Sequence, residues 1–232
     1  MIIWLLILLV ILSYLFGNIN FARILSGVKK EDITKFGSGN PGATSMLRRY
    51  GFKYGLLTFI LDAIKGAIPA LVGLLVFGGI NGGVESLIGL YSMGLACVIG
   101  HVYPVFYKFK GGKGISSTLG VFAVADPLVM LIIFVLAFLF VIFFEYMSLA
   151  SLLVTTVLTI IEVNRIPEGT DETLGMIVRL LIFTIFVLTW WAHRANIIRL
   201  LVGKENKANL KQSLKKLAKK QKKEQKMQNK QA

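Results

Sequence analysis

Cysteine is nearly absent from this chain: Cys97 is the one thiol in 232 residues. A single thiol cannot close an intramolecular disulfide or build a CxxC redox or metal site, which excludes a disulfide-stapled fold. Set within an apolar run, Cys97 reads as packing. Histidine is scarce as well, with only His101 and His193, and no His, Cys and carboxylate set has metal-ligand spacing. The sequence therefore offers no metal site and no cofactor motif. Charged residues make up only 16%, and the acidic ones number 12 against 26 Lys and Arg. What fills the chain instead is hydrophobic, at 55% of residues and a mean hydropathy of +0.71. A soluble domain of this length cannot hide so much apolar surface, so the composition points to transmembrane helices.

Apolar runs cover Ile2–Phe16, Leu56–Phe77, Leu87–Phe106, Pro127–Phe144, Leu149–Ile161 and Met176–Trp191. No basic stretch precedes the first run, so an uncleaved first span is expected rather than a signal peptide. The net charge of +14 is segregated. From His193 onward thirteen Lys and Arg face Glu205 and Glu224, and from Ala22 to Tyr54 seven face Glu31 and Asp32. Such clustering sets membrane orientation and does not by itself imply nucleic-acid binding. The basic segments, including Lys108, Lys110 and Lys113, belong inside. The N-terminus, the Phe77–Glu85 loop and the acidic Glu162–Glu172 loop belong outside. Six crossings would put the lysine-rich tail on the wrong side. The short apolar segment Gly112–Ala125 supplies the missing pass as a short or partly buried helix. The expectation is an all-α, polytopic membrane bundle of about seven transmembrane or partly buried helices, N-terminus outside and C-terminus inside, with five crossings as the alternative.

Four clusters then share the inner face. Gly37–Arg48 (GSGNPGATSMLR) combines free backbone amides before a helix start with Ser38, Asn40, Thr44 and Arg48, the parts of a phosphate site. It lacks the Gly-Lys-Ser/Thr of a nucleotide P-loop. An ordinary glycine-rich loop would read similarly. Asp62 and Lys65 share a helix face within a span, where ionisable groups line a polar cavity or satisfy each other. Lys110 and Lys113 bracket Gly111 and Gly112, giving two ammonium groups on a flexible backbone suited to an anion, although positive-inside charge alone also places lysines there. His101 beside them reads as a packing or locally bonded residue. His193, Asn196 and Arg199 recur every three residues where the last span meets water, with Trp190 and Trp191 as an aromatic anchor.

Together these clusters resemble the acyl-phosphate-dependent glycerol-3-phosphate acyltransferase family (PlsY). Gly37–Arg48 is similar to its GSGNxGATNxxR motif, Leu61–Gly66 to LDxxKG, Gly100–Gly114 to GHxxPxFxxFKGGKG, and His193–Glu205 to HRxNIxRLLxGxE. Ser45 stands where the family has Asn, and Ser116 and Ser117 where Ala and Thr are usual. The resemblance implies a bacterial plasma-membrane enzyme. It would move an acyl group from acyl phosphate to glycerol 3-phosphate on the cytoplasmic side, without cofactor, supplied by a soluble acyl-phosphate-making enzyme. Carried over by position, Ser38, Arg48, Lys110, His193 and Asn196 are the candidate catalytic residues. Gly39, Asn40, Gly42, Thr44, Lys65, Gly111, Gly112 and Lys113 are the candidate phosphate-binding ones. His193 and Asn196 would orient the glycerol hydroxyl or a phosphate, and proton removal stays open between a substrate phosphate, His193 and neither of them. The HxxxxD motif of other glycerolipid acyltransferases is absent, since Phe106 and Ile198 stand five residues after His101 and His193. A transporter for an anionic solute would share the spans and basic loops. It predicts midplane binding groups and an internal repeat, whereas here the polar groups crowd one face and no repeat is visible.

The resemblance ends at Glu205, which divides the chain into a membrane domain, 1–205, and a lysine-rich tail, 206–232. Leu210, Leu214 and Leu217 fall at helical spacing, so the tail is expected to be dispensable for chemistry and at most a weak amphipathic helix on the bilayer.

Overall fold

The computed structural model describes residues 2–78 and 83–228, and the described chain is helical. Helices α1 (Ile2–Gly17), α4 (Phe52–Gly78), α5 (Val84–Val102), α7 (Pro127–Phe144), α8 (Met147–Asn164) and α9 (Glu172–Ala192) are the long apolar ones. With α2 (Phe21–Val28) continuing α1, six segments are long and apolar enough to cross a membrane. The seventh expected segment is also a helix, α6 (Ile115–Ala125), only 11 residues long. The remaining helices, α3 (Ala43–Tyr50), α10 (Arg194–Leu201) and α11 (Leu210–Gln228), lie at the basic end. The loop Phe77–Glu85 falls partly outside the described residues.

Outward-facing side chains show what surrounds the bundle. On α7 only Met130 and Val141 are buried, while Leu128, Leu131, Leu136 and Phe143 stand mostly exposed. Such a surface is stable only against lipid, so this is an integral membrane protein. The core is built on α5, with Leu90, Tyr91 and Val98 enclosed by Val121 and Phe122 of α6, Leu158 of α8, and Val178, Ile182 and Ile185 of α9. Within a membrane, helices gain from close backbone approach through small residues. A side-chain carbon at Gly66 of α4 would collide with the Ser117 carbonyl of α6, and one at Gly120 of α6 with the Ala63 carbonyl of α4. These two glycines press the short helix flat against the longest one.

At roughly 1.5 Å per residue α6 spans about 16 Å, half a bilayer core. The chain ahead of it folds back onto the end of α5. Gly111 N–H donates to Val102 O at 3.2 Å and Gly112 N–H to His101 O at 3.0 Å. At the far end Asp126 alone separates α6 from α7, capping α7 through Val129 N–H at 3.0 Å, with Pro127 in the first turn. Asp126 also pairs with Arg165 beyond α8. The two ends of α6 are thus held by different partners, the α5 C-terminus at one end and the segment beyond α8 at the other.

The segment just past Glu205 stays against the bundle. Ala208 is fully buried and Leu210 is 3% exposed, packed with Leu47, Val141 and Ala150. Apolar side chains in a lysine-rich segment dock where a matching surface exists, a surface that composition alone does not reveal.

Candidate active site

The first cluster folds as a loop that ends on α3. Asn20 caps α2 through Arg23 N–H at 2.9 Å and reaches Pro41 O at 3.2 Å, tying the loop to the end of the first span. Gly39 has φ +71° with Thr34 O beside it, so it serves the turn and is not among the cleft-lining residues. The N-terminus of α3 then presents Ala43, Thr44 and Ser45 to a cleft. Arg48 lies in the last turn of this eight-residue helix, little more than one turn from its start.

That cleft, about 220 Å³ in volume, runs between α3 and α4 on one side and α7 and α8 on the other. Its polar end holds Ser38, Asn40, Gly42, Thr44, Arg48, Lys113, His193 and Asn196, with Asp62, His101 and Glu205. Its apolar end is walled by Leu56 and Phe59 of α4, Leu119 of α6, Phe134 and Phe138 of α7, and Val154 of α8. The Phe59 and Phe134 rings stack at 5.5 Å across it, and Phe138 and Leu56 remain about 40% exposed to the bilayer side.

Two of the four sequence clusters meet through one chain of contacts. Lys113 Nζ donates to Asn196 Oδ1. Asn196 Nδ2 donates to Glu205 Oε1 at 2.8 Å, and Arg199 Nε to Glu205 Oε2 at 2.9 Å. Glu205 therefore fixes which way the Asn196 amide faces, a positioning role that the sequence reading did not assign; its place in the fourth motif was the available signal. Burial, with help from the Arg199 and Arg48 charges, pulls the Lys113 ammonium down to about 8, against the pull of Glu205. Burial lowers His193 to about 4, with Lys113 adding to the effect. Arg48 is also lowered by burial.

His193 Nδ1 lies 2.8 Å from Thr189 O. A carbonyl only accepts, so Nδ1 carries the hydrogen and the neutral ring keeps its lone pair on Nε2. An arrangement of neutral imidazole, amide, ammonium and guanidinium at the head of an apolar slot can hold phosphate and receive a hydroxyl proton.

Other candidates take different positions. Lys65 is fully enclosed: its Nζ donates to Ile19 O at 2.6 Å and to His101 Nδ1 at 2.9 Å, and pairs with Asp62 Oδ1 at 3.2 Å. Two hydrogen bonds and a buried ion pair enclose this ammonium, so Lys65 stands behind the wall that Asp62 and His101 present. Lys110 is exposed and outside the cleft; its carbonyl accepts from Arg23 Nη2 at 3.1 Å. Gly111 and Gly112 press against His101, where a side-chain carbon would strike its carbonyl and its ring. They work by letting the backbone carry Lys113 inward. Among the described residues no three His, Cys, Asp or Glu side chains converge as a metal site.

Residues 7–203 match the family model described as glycerol-3-phosphate acyltransferase. The chain is 41% identical over 203 residues to the glycerol-3-phosphate acyltransferase of Finegoldia magna, covering 87% of this chain and 96% of that one. It is 39% identical over 200 residues to that of Aquifex aeolicus, covering 86% and 97%. A crystal structure of PlsY (YgiH), an integral membrane glycerol 3-phosphate acyltransferase in its glycerol 3-phosphate form, superposes with a TM-score of 0.76. It is 39% identical, with 87% of this chain and 94% of that one covered. The lysophosphatidic acid form of the same enzyme gives 0.74.

Proposed function

The chain belongs to the glycerol-3-phosphate acyltransferase family, and from that premise we propose that it transfers an acyl group from acyl phosphate to glycerol 3-phosphate at the cytoplasmic face of the bacterial plasma membrane. The observation that carries this reading is the joining of two chemistries in one cleft, a cationic and amide-rich head and an apolar slot facing lipid. The substrates have these same two parts, a phosphate and a long acyl chain. The positive-inside distribution supports the cytoplasmic orientation, because Arg23, Arg48, Lys110 and Lys113 share the end where the lysine-rich tail emerges.

Acyl phosphate is already activated, so no covalent enzyme intermediate is needed. The glycerol 3-phosphate hydroxyl oxygen bonds to the acyl carbon, the bond from that carbon to the phosphate oxygen breaks, and the electron pair leaves with phosphate. The hydroxyl proton passes to the departing phosphate, directly or by way of His193 Nε2. The α3 N-terminus with Ser38 and Thr44, Arg48 and Lys113 stabilise phosphate charge, and Asn196 holds Lys113 in place. Rate comes from positioning and charge stabilisation. A soluble enzyme that makes acyl phosphate would supply the donor.

The test is phosphate release by purified protein given acyl phosphate, with and without glycerol 3-phosphate, alongside acyl-CoA as donor. Release that requires glycerol 3-phosphate and appears as lysophosphatidic acid is the expected result. Equal or better use of acyl-CoA would overturn the donor assignment.

A further inference from the structure

The family match ends at residue 203, yet the chain continues and its next segment is built into the cleft. Backbone contacts define it. Arg48 Nη2 donates to Asn206 O at 2.8 Å and Arg48 Nε to Lys207 O at 3.0 Å. Ala208 N–H donates to Glu145 O at 2.8 Å. Glu145 closes α7 in the left-handed conformation, φ +61°, which leaves its carbonyl free for this bond. Leu210 is then seated between Leu47, Val141 and Ala150 and lines the cleft itself.

We propose that residues 206–210 form a strap that belongs to the acyltransferase site, setting the orientation of Arg48 and roofing the cleft where the acyl substrate sits. This rests on the acyl-transfer reading above. A guanidinium is a planar fork of five N–H donors on a flexible stem. Two carbonyls hold one part of the fork, and the remaining donors stay available to an anion. Without the strap, Arg48 would have to give up rotamer freedom when substrate binds, which weakens binding rather than folding. Simple attraction of the tail lysines to an anionic bilayer would explain their charge. It would not explain a buried Ala208, a buried Leu210 or two carbonyls on one arginine. Asn206, Lys207, Ala208 and Leu210 are positioning residues.

The full chain is first assayed with acyl phosphate and glycerol 3-phosphate; no transfer there would defeat the proposed function and not the strap. Two variants follow. Leu210→Asp breaks the docking but keeps every lysine. The triple change Lys215→Gln, Lys216→Gln and Lys219→Gln removes charge but keeps the docking. Leu210→Asp is expected to raise KM for a phosphate substrate about tenfold or more, with kcat and thermal midpoint little changed. The triple variant in detergent is expected to match the parent. In an Arg48→Lys background Leu210→Asp should add little, because both act through one contact. Unchanged KM in Leu210→Asp, or KM, kcat and midpoint failing together, would overturn the proposal. Should Leu210→Asp not fold, a chain ending at Glu205 decides. The same KM rise supports the strap. Parent-like kinetics, or a second failure to fold, would overturn it.

Discussion

Lys65 and Lys113 sit at the same basic end of the bundle and have opposite surroundings. Lys65 is sealed, donating to an α1–α2 carbonyl and an imidazole and ion-paired with a buried carboxylate. Lys113 is half-buried on the cleft wall and donates to Asn196, leaving donors for a ligand. Both lysines sit in motifs with glycine beside them, and charge alone does not separate them. The number of partners does: an enclosed ammonium ties helices together, while an open one in a low-dielectric cleft is a binding group.

The largest effect should come from breaking the sealed tie. Lys65→Met leaves Asp62 as an uncompensated buried charge and is expected to cost about 3–5 kcal/mol, read as a lowered thermal midpoint in detergent. A double variant with Asp62→Asn should recover part of that loss. A midpoint equal to the parent's would make Lys65 an unbound cation and erase the contrast.

The open cation should move activity and spare stability. Lys113→Ala is expected to lose about 2–4 kcal/mol of transition-state stabilisation, on the order of 30- to 1,000-fold in kcat/KM, at an unchanged midpoint. pH sharpens the same point. The Lys113 ammonium, lowered to about 8 in the free protein, loses its proton as pH rises through that value. Parent kcat/KM should therefore fall above about pH 8. Lys113→Arg keeps its charge there, so the decline should vanish; a decline that persists would assign it to another group.

The smallest effect belongs to Lys110. An exposed cation outside the cleft is worth about 0.2–1 kcal/mol, so Lys110→Ala should change kcat/KM about fivefold at most. A loss as large as that of Lys113→Ala would put Lys110 in the site.

Why these lysines were indistinguishable in sequence follows from where their partners lie. The Ile19 carbonyl is 46 residues from Lys65, and His101 is 36. Motif spacing shows which residues travel together, not which donors distant residues have used. The long helices were legible because their cause is local. Pro127–Phe144 is an unbroken apolar run behind an Asp-Pro cap, and α7 has those bounds. The polar end of the cleft was legible too, since Ser38, Thr44, Arg48, Lys113, His193 and Asn196 come together. The docking of Leu210 was hidden because it depends on a surface shared by α3, α7 and α8.

The single-residue junction at Asp126 bears on how this protein is made. Eleven residues are too short to cross the hydrocarbon core unaided, apolar as they are. The following α7 is the most apolar of the six long segments. With only Asp126 between them, the two must partition as one hairpin, α7 carrying α6 into the bilayer. The Arg165 that pairs with Asp126 is synthesised after α8. The turn is therefore latched only once the next hairpin has been delivered, which imposes an order of assembly on the fold.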